Sequence, residues 1–70
     1  MLEVKAIRMR VGLSQEAFPQ SFDCTIEQIR AWEQGRNRPV GGLRAYLTMI
    51  DLDKDGVLQI LESARKSHAA

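Results

Sequence analysis

Two oppositely charged stretches hold the residue types in this sequence that could do chemistry. Residues 30–44 carry four arginines against one acid, a local charge of +3, and residues 51–62 carry four acids against one lysine, a local charge of −3. The whole 70-residue chain has a formal charge of only +1 at pH 7. Because the placement of charge matters more than its sum, the basic stretch indicates a surface for phosphate, and the acidic stretch is a candidate site for a cation.

The acidic stretch matches the calcium-loop pattern D-x-D-x-D-G-x5-E of EF-hands over residues 51–62. Three short carboxylates, Gly56 for the sharp bend and a bidentate Glu62 would supply the oxygen ligands of a calcium ion. However, polar residues follow Glu62 where the leaving helix of an EF-hand is apolar, and the chain has no second acidic loop. The alternative is that Asp53 or Asp55 caps a helix. We therefore expect no metal site and keep calcium binding as an alternative function.

The other candidates for catalysis are isolated in the sequence. Cys24 is the single cysteine, which excludes a disulfide framework and a four-ligand zinc site, and neither it nor Ser14 has a histidine base nearby. His68 lies in the C-terminal tail without a partner. We expect no enzyme and no cofactor. A lone cysteine fits a reducing cytoplasm, and the lack of a signal peptide or an apolar run of about 20 residues predicts a cytoplasmic protein without membrane contact.

Apolar residues recur at helical spacing along the chain, and no stretch of useful length alternates with period two. The pattern predicts an all-α fold of five short helices in one domain, residues 1–70. Ser14 caps the second helix, Gly35 ends the third, and the acidic residues 51–55 form a loop between the last two. The predicted helices cover about residues 2–11, 15–22 and 26–34, and the fourth and fifth are marked by apolar residues at 43–50 and 57–64.

Helices 2 and 3, about residues 14–34, have the spacing of a helix-turn-helix, in which the second helix lies in the major groove of DNA. Asp23 occupies the turn position that needs a positive φ, and Asp is among the few residues that tolerate one. Thr25 and Gln28 have the spacing of a capping box at the start of helix 3. Apolar residues at i, i+3 along helix 3 face the core, which leaves its opposite face free to read bases.

The free face of helix 3 and the turns beside it supply the candidate DNA contacts. Arg30 could bind guanine through O6 and N7, and Glu27 could accept from cytosine or orient the Arg30 guanidinium. The second role for Glu27 is favoured because phosphates repel an unpaired carboxylate. The predicted base contacts are Thr25, Ile26, Glu27, Arg30 and Ala31, and the predicted phosphate contacts are Gln15, Arg36, Asn37 and Arg38. The alternative is that these side chains form an ordinary solvated surface.

Three segments of the chain resemble the XRE/Cro-type helix-turn-helix family, whose members have a lambda-repressor-like fold. They are Ile7-Arg8, GLSQEAF at 12–18 and IRAWEQGRNRP at 29–39, and the resemblance covers about residues 4–62. The last segment most resembles HigA-type antitoxins, which repress their own operons and neutralise a RelE-like ribonuclease toxin. The resemblance implies a sequence-specific repressor that binds a palindromic operator as a homodimer. The alternative within the family is a phage or plasmid repressor without a toxin partner.

The resemblance also implies roles that the residues alone do not show. In the family, the residues that match Arg8 and Glu33 form a partly buried ion pair between helix 1 and the end of helix 3. Family members dimerise through their C-terminal helices, here about residues 41–67. The alternative for the apolar side of helix 5 is core packing alone. The expected seam of the dimer is that apolar side, formed by Val57, Leu58, Leu61 and Ala64.

The sequence departs from the family pattern at three places. Pro19 stands in helix 2 where the family usually has alanine, and we expect a bent or shortened helix because Pro lacks an N–H and can clash with the Gln15 carbonyl. Asp23 replaces the usual glycine of the turn. Antitoxins of this type commonly carry a toxin-binding segment before helix 1, for which this chain leaves no room. We therefore expect a truncated DNA-binding domain, a stand-alone regulator, or a toxin that binds another surface.

Overall fold

The computed structural model describes residues 3–68, and side chains over residues 3–67. The described residues form five helices and no strand, so the predicted all-α fold is confirmed. Leu2, at the predicted start of helix 1, lies outside the described residues. The helices are α1 (Val4–Val11), α2 (Ala17–Phe22), α3 (Ile26–Glu33), α4 (Gly42–Leu52) and α5 (Lys54–His68).

Helix α2 begins two residues later than predicted, at Ala17 rather than Gln15. Ser14 caps this segment as expected, because its Oγ accepts from the Ala17 N–H at 3.0 Å and its carbonyl accepts from the Phe18 N–H at 3.0 Å. Pro19 has no N–H to donate to the Gln15 carbonyl, so the first turn lacks a helical hydrogen bond. A bent or a shortened helix was expected from Pro19, and α2 is shortened.

Helix α3 forms as its sequence pattern predicts. The Thr25 Oγ1 accepts from the Gln28 N–H at 3.1 Å, and the Gln28 Oε1 accepts from the Thr25 N–H at 3.0 Å, which completes the capping box. The helix ends at Glu33, and Gly35 follows with φ +76°, a left-handed conformation that favours glycine. Both ends of this helix are thus fixed by local sequence.

The predicted acidic loop between the last two helices is wrong. Helix α4 continues to Leu52, α5 begins at Lys54, and Asp53 alone separates them, with φ −153° and ψ 73°. The Asp53 Oδ1 accepts from the Gly56 N–H at 3.1 Å, so this acid caps α5, which was the alternative interpretation of the stretch. A calcium loop cannot form in this conformation, because the ligands from Asp55 onward lie on a helix that cannot curl around an ion.

The core draws apolar side chains from all five helices. Two of them, Phe18 and Phe22, stack with ring centroids 5.0 Å apart. Ile29 and Trp32 are the two residues through which α3 enters this core, and the face opposite them is left toward solvent. The buried residues are Val4, Ile7, Phe18, Phe22, Ile29, Trp32, Leu47, Ile50 and Val57.

The apolar side of α5 packs inside the chain rather than facing outward. Val57 is 7% exposed and belongs to the core, while Leu58 and Leu61 are half-buried against it. Of the residues expected at a dimer seam, only Ala64 is exposed. Helix α5 folds back over α2 and α4 and uses the Val57 side chain to close the core, which agrees with the alternative of core packing for this residue; the dimer seam itself stays a prediction.

Exposed apolar side chains gather instead at the junction of α4 and α5. Met49 is 50% exposed, Leu52 81% and Ile60 66%. We call these three residues the junction patch; they line a groove of about 270 Å³ together with Asp53, Gly56 and Val57.

Over residues 3–68, no helix is both long enough and apolar enough to cross a membrane.

Candidate nucleic-acid interface

The outer face of α3 is available for contact along its whole length. Ile29 is fully buried and Trp32 is 9% exposed, and these two residues anchor the helix to the core. On the opposite side, Glu27 and Arg30 are exposed and Ala31 is half-exposed, as the helical periodicity predicts. Such a face can enter a groove without disturbing the core that supports it.

The turn before α3 places the start of this helix at the surface. Asp23 has φ +57° and ψ 43°, the left-handed conformation that the sequence predicts for it. Cys24 is half-buried against the core, and burial raises the pKa of its thiol. The Tyr46 hydroxyl donates to the Phe22 carbonyl at 2.6 Å, and burial raises the pKa of Tyr46 to about 12, so this hydroxyl remains a donor. The exposed Thr25 then opens α3.

A nearly buried ion pair fixes the end of α3 to α1. The Arg8 Nε donates to Glu33 Oε2 at 2.6 Å and its Nη2 to Glu33 Oε1 at 3.1 Å, and the two side chains are 12% and 5% exposed. The Arg8 Nη1 also donates to the Leu13 carbonyl at 2.9 Å. The hydrogen bond from Arg8 lowers the pKa of Glu33, and the same bond raises the pKa of Arg8. The pair that the resemblance implies is thus present.

Gln15 takes part in this ion pair, which the sequence alone did not reveal. Its Nε2 donates to Glu33 Oε1 at 3.0 Å and further lowers the pKa of that carboxyl. The amide nitrogen predicted to meet phosphate is therefore committed to Glu33 in the free protein. The contact ties the start of the α2 segment to the end of α3, so the two helices are held at the edge where DNA would approach.

The acid nearest to the Arg30 guanidinium is Glu16, whereas the sequence predicted Glu27. The Arg30 Nη2 lies 3.9 Å from the Glu16 Oε2, and the two side chains are 49% and 66% exposed. Glu27 forms no ion pair with Arg30 in the described structure, although it lies one turn earlier on the same helix. A contact this long and exposed is weak, so Arg30 can exchange Glu16 for a base or a phosphate at little cost.

The loop after α3 presents the basic side chains that follow it in the sequence. The N–H groups of Arg36 and Asn37 both donate to the Ala31 carbonyl, at 3.0 and 3.3 Å, and the Asn37 Oδ1 accepts from the Arg38 N–H at 3.0 Å. These bonds fix the loop backbone, while the three side chains are exposed. Within residues 3–68, neither Arg36 nor Arg38 forms an ion pair.

Two further cations lie near this loop that were not among the predicted DNA contacts. Lys5 of α1 and Arg44 of α4 line a cleft of about 570 Å³ together with Arg38 and Trp32. All three cations are exposed. Arg38 and Arg44 belong to the basic stretch of the sequence, but Lys5 is more than 30 positions away, so no local pattern could place it beside them before the fold was known.

The acidic stretch lies at the other end of α1 from this basic surface. Lys5 is near the start of α1, whereas Arg10 near its end donates to Asp51 at 2.8 Å, and the Lys54 Nζ donates to the Val11 carbonyl at 3.4 Å. A helix of eight residues separates its ends by about 12 Å. The opposite local charges predicted from the sequence therefore occupy separate parts of the molecule.

The fold matches a known structure over most of its length. The crystal structure of an HTH XRE-family like protein from Agrobacterium tumefaciens is 38% identical in sequence, with a TM-score of 0.81, and the match covers 87% of this chain and 98% of that one. Neither the comparison with protein-family models nor the comparison with curated proteins finds a match.

Proposed function

The chain belongs to the XRE family of helix-turn-helix DNA-binding proteins, and from this premise we propose that it is a sequence-specific transcriptional repressor. The observation that carries the proposal is the exposed outer face of α3, which follows Gln15 in the sequence and precedes the exposed residues 36–38. A protein with this arrangement reads bases with one helix and fixes its register on the duplex with the flanking contacts.

In the proposed complex, the first turns of α3 lie in the major groove. Arg30 leaves Glu16 and donates to O6 and N7 of a guanine, while Ala31 meets the methyl group of a thymine. Thr25, Ile26 and Glu27 complete the reading face at the start of the helix. Gln15 contacts a phosphate of one strand through the second N–H of its side-chain amide, since only one is needed for Glu33. The phosphates of the other strand receive the contacts of Arg36, Asn37 and Arg38.

We propose that the repressor binds a palindromic operator as a homodimer. Such a dimer sets its two recognition helices about one turn of DNA apart, so each half-site meets the same face. Burial of Val57 moves the proposed seam from the inner side of α5 to the junction patch of Met49, Leu52 and Ile60. A small domain that exposes three neighbouring large apolar side chains gains stability by covering them.

We further propose that the chain is the antitoxin, or the DNA-binding domain of the antitoxin, of a HigBA-type operon that regulates its own promoter. The similarity of IRAWEQGRNRP to such antitoxins supports this role, and the acidic residues around α5 suit a basic, RelE-like toxin. The other candidate is a stand-alone phage or plasmid repressor. A reading frame for a small basic RelE-like protein beside this one would favour the antitoxin, and its absence would favour the stand-alone repressor.

Selection of DNA from a randomised duplex pool tests the proposed function directly. We expect the protein to enrich a palindromic motif, and Arg30→Ala to bind that motif about 1–3 kcal/mol more weakly with relaxed choice at one base pair. Lys66→Ala is the control, because it removes one exposed positive charge from α5, outside the proposed interface. Failure to enrich any motif would refute sequence-specific repression. An equal loss on every sequence would show that Arg30 meets only phosphate.

A further inference from the structure

The turn between α2 and α3 is held by side chains from both C-terminal helices. The Arg65 Nη2 of α5 donates to Asp23 Oδ1 at 2.9 Å and to the Ser21 carbonyl at 3.3 Å. The Tyr46 hydroxyl of α4 donates to the carbonyl of Phe22, the residue between them. Three consecutive residues, the last two of α2 and the first of the turn, are therefore bonded from outside the helix-turn-helix.

These contacts lie where the helix-turn-helix makes few hydrogen bonds of its own. The last carbonyls of α2 have no partners within that helix and carry the negative end of its dipole, which suits the Arg65 cation. The backbone inside the turn is fixed only weakly, through the Cys24 N–H, which donates to the Pro19 carbonyl at 3.3 Å. The angle at which α3 leaves α2 therefore depends on contacts made by α4 and α5 as well as on the bond from Gln15 to Glu33 at the other end of α3.

The pair also gives a physical role to the unusual residue in the turn. Asp23 adopts a left-handed conformation that strains every residue except glycine, although Asp tolerates it better than most. A glycine there would relieve the strain but would offer no carboxylate to Arg65. Asp23 thus has some backbone strain, but its carboxylate accepts a hydrogen bond that joins the turn to the last helix.

We propose that Arg65 is a positioning residue for DNA recognition, which acts through Asp23 to fix the orientation of α3. The inference rests on the proposed function, because it assigns a role in binding operator DNA. Arg65 itself meets no base. The side chains of Arg65 and Asp23 are 46% and 57% exposed, so the pair is worth an affinity change of about two- to fivefold rather than a complete loss.

Three variants test the proposal: Asp23→Gly, Arg65→Ala and the double variant. The dissociation constant is measured by fluorescence anisotropy on a duplex that the unmodified protein has selected from a randomised pool. We expect each single variant to bind about two- to fivefold more weakly, and the double variant to bind no more weakly than either single one. This non-additivity is the signature of two residues that act as one contact.

Simple electrostatics predicts a different pattern in the same three variants. If only net charge mattered, Asp23→Gly would bind DNA more tightly, Arg65→Ala more weakly, and the double variant as the unmodified protein does. A purely stabilising pair would lower the thermal midpoint and leave affinity unchanged wherever every variant is folded. Either result would overturn the proposal.

Thermal unfolding of Asp23→Gly separates positioning from stability further. Because glycine relieves the left-handed strain, we expect its thermal midpoint to stay level or rise while its operator affinity falls. Lys66→Ala serves as the charge control on the same helix, and we expect its affinity to match that of the unmodified protein. If no duplex is enriched, the proposed function fails and this inference with it; an enriched duplex that all variants bind equally refutes the positioning role alone.

Discussion

Glu33 is an acid beside the proposed DNA-binding surface, and its carboxylate is neutralised by Arg8. The pair is almost excluded from solvent, so removal of one partner leaves a charge without compensation. We expect Arg8→Ala to lower the free energy of unfolding by about 3 kcal/mol in urea denaturation. The matched control is Arg10→Ala, which removes a 60% exposed guanidinium from Asp51 and should cost much less than Arg8→Ala because solvent screens this pair. Equal losses would contradict this interpretation.

The same carboxyl makes stability depend on pH in a defined direction. The hydrogen bond from Arg8 lowers the pKa of Glu33 in the folded state, so the unfolded chain binds this proton more readily. The contribution is complete above the unfolded pKa of about 4.3 and is lost as the pH falls from there toward the lower folded pKa. We expect urea denaturation of Glu33→Gln to show a shallower fall in stability over this acidic range than the unmodified protein. Identical pH profiles would show that folding does not lower the pKa of Glu33.

Residue contacts that join distant parts of the chain were the least predictable from the sequence. Periodicity placed Arg30 on the free face of α3, but it could not show that Glu16 rather than Glu27 lies near the guanidinium. Gln15 was expected to face phosphate, and its bond to Glu33 crosses 18 positions of sequence. Such pairs depend on how helices pack, and a single sequence carries no signal for that geometry.

At the scale of elements, the sequence predicts best where local chemistry ends a helix. The capping box of Thr25 and Gln28 and the left-handed Asp23 are short-range features, and all form as expected. The prediction of a loop at residues 51–55 was wrong, because Asp53 alone is enough to stop one helix and cap the next. The burial of Val57 could not be predicted from the sequence for another reason, because an apolar stripe on a helix has the same pattern whether it closes a core or joins two copies.

The α4–α5 junction yields a prediction in which two local effects oppose each other. A Cβ at position 56 would overlap the Asp53 carboxylate, so alanine there must displace the cap of α5. Loss of a cap costs about 1 kcal/mol, and the gain in helix propensity from glycine to alanine is of similar size. We therefore expect Gly56→Ala to leave the free energy of unfolding nearly unchanged in urea denaturation.

The background of Asp53→Ala isolates the two effects. With the cap already absent, the alanine at position 56 has nothing to displace, and only the propensity gain remains. We expect Gly56→Ala to add up to about 1 kcal/mol of stability in that background. A gain of the same size in both backgrounds would show that Asp53 moves aside without cost and that its bond to Gly56 contributes nothing.

At the scale of the whole molecule, the basic surface and the exposed apolar surface lie in different places and suit different partners. Lys5 of α1, Arg38 of the loop after α3 and Arg44 of α4 line one cleft, and Asp51 stands near the far end of α1. Of the large apolar side chains that are exposed among the described residues, half lie in the junction patch. This patch lines a groove with Asp53 and shares no residue with the basic cleft, so the proposed DNA contact and the proposed dimer seam do not compete for one surface.

The proposed dimer makes a prediction that separates assembly from DNA contact. Leu52→Glu places a charge at the most exposed residue of the junction patch, and two-fold symmetry would bring two such charges to one seam. We expect sedimentation equilibrium to show a monomer for this variant and a dimer for the unmodified protein. Binding to a duplex with two half-sites should weaken, while binding to one half-site stays the same. Met9→Glu is the control, because Met9 is 63% exposed on α1 outside the patch. A seam at the junction patch is excluded if both variants keep the mass of the unmodified protein, since an introduced carboxylate there could not be buried without a partner.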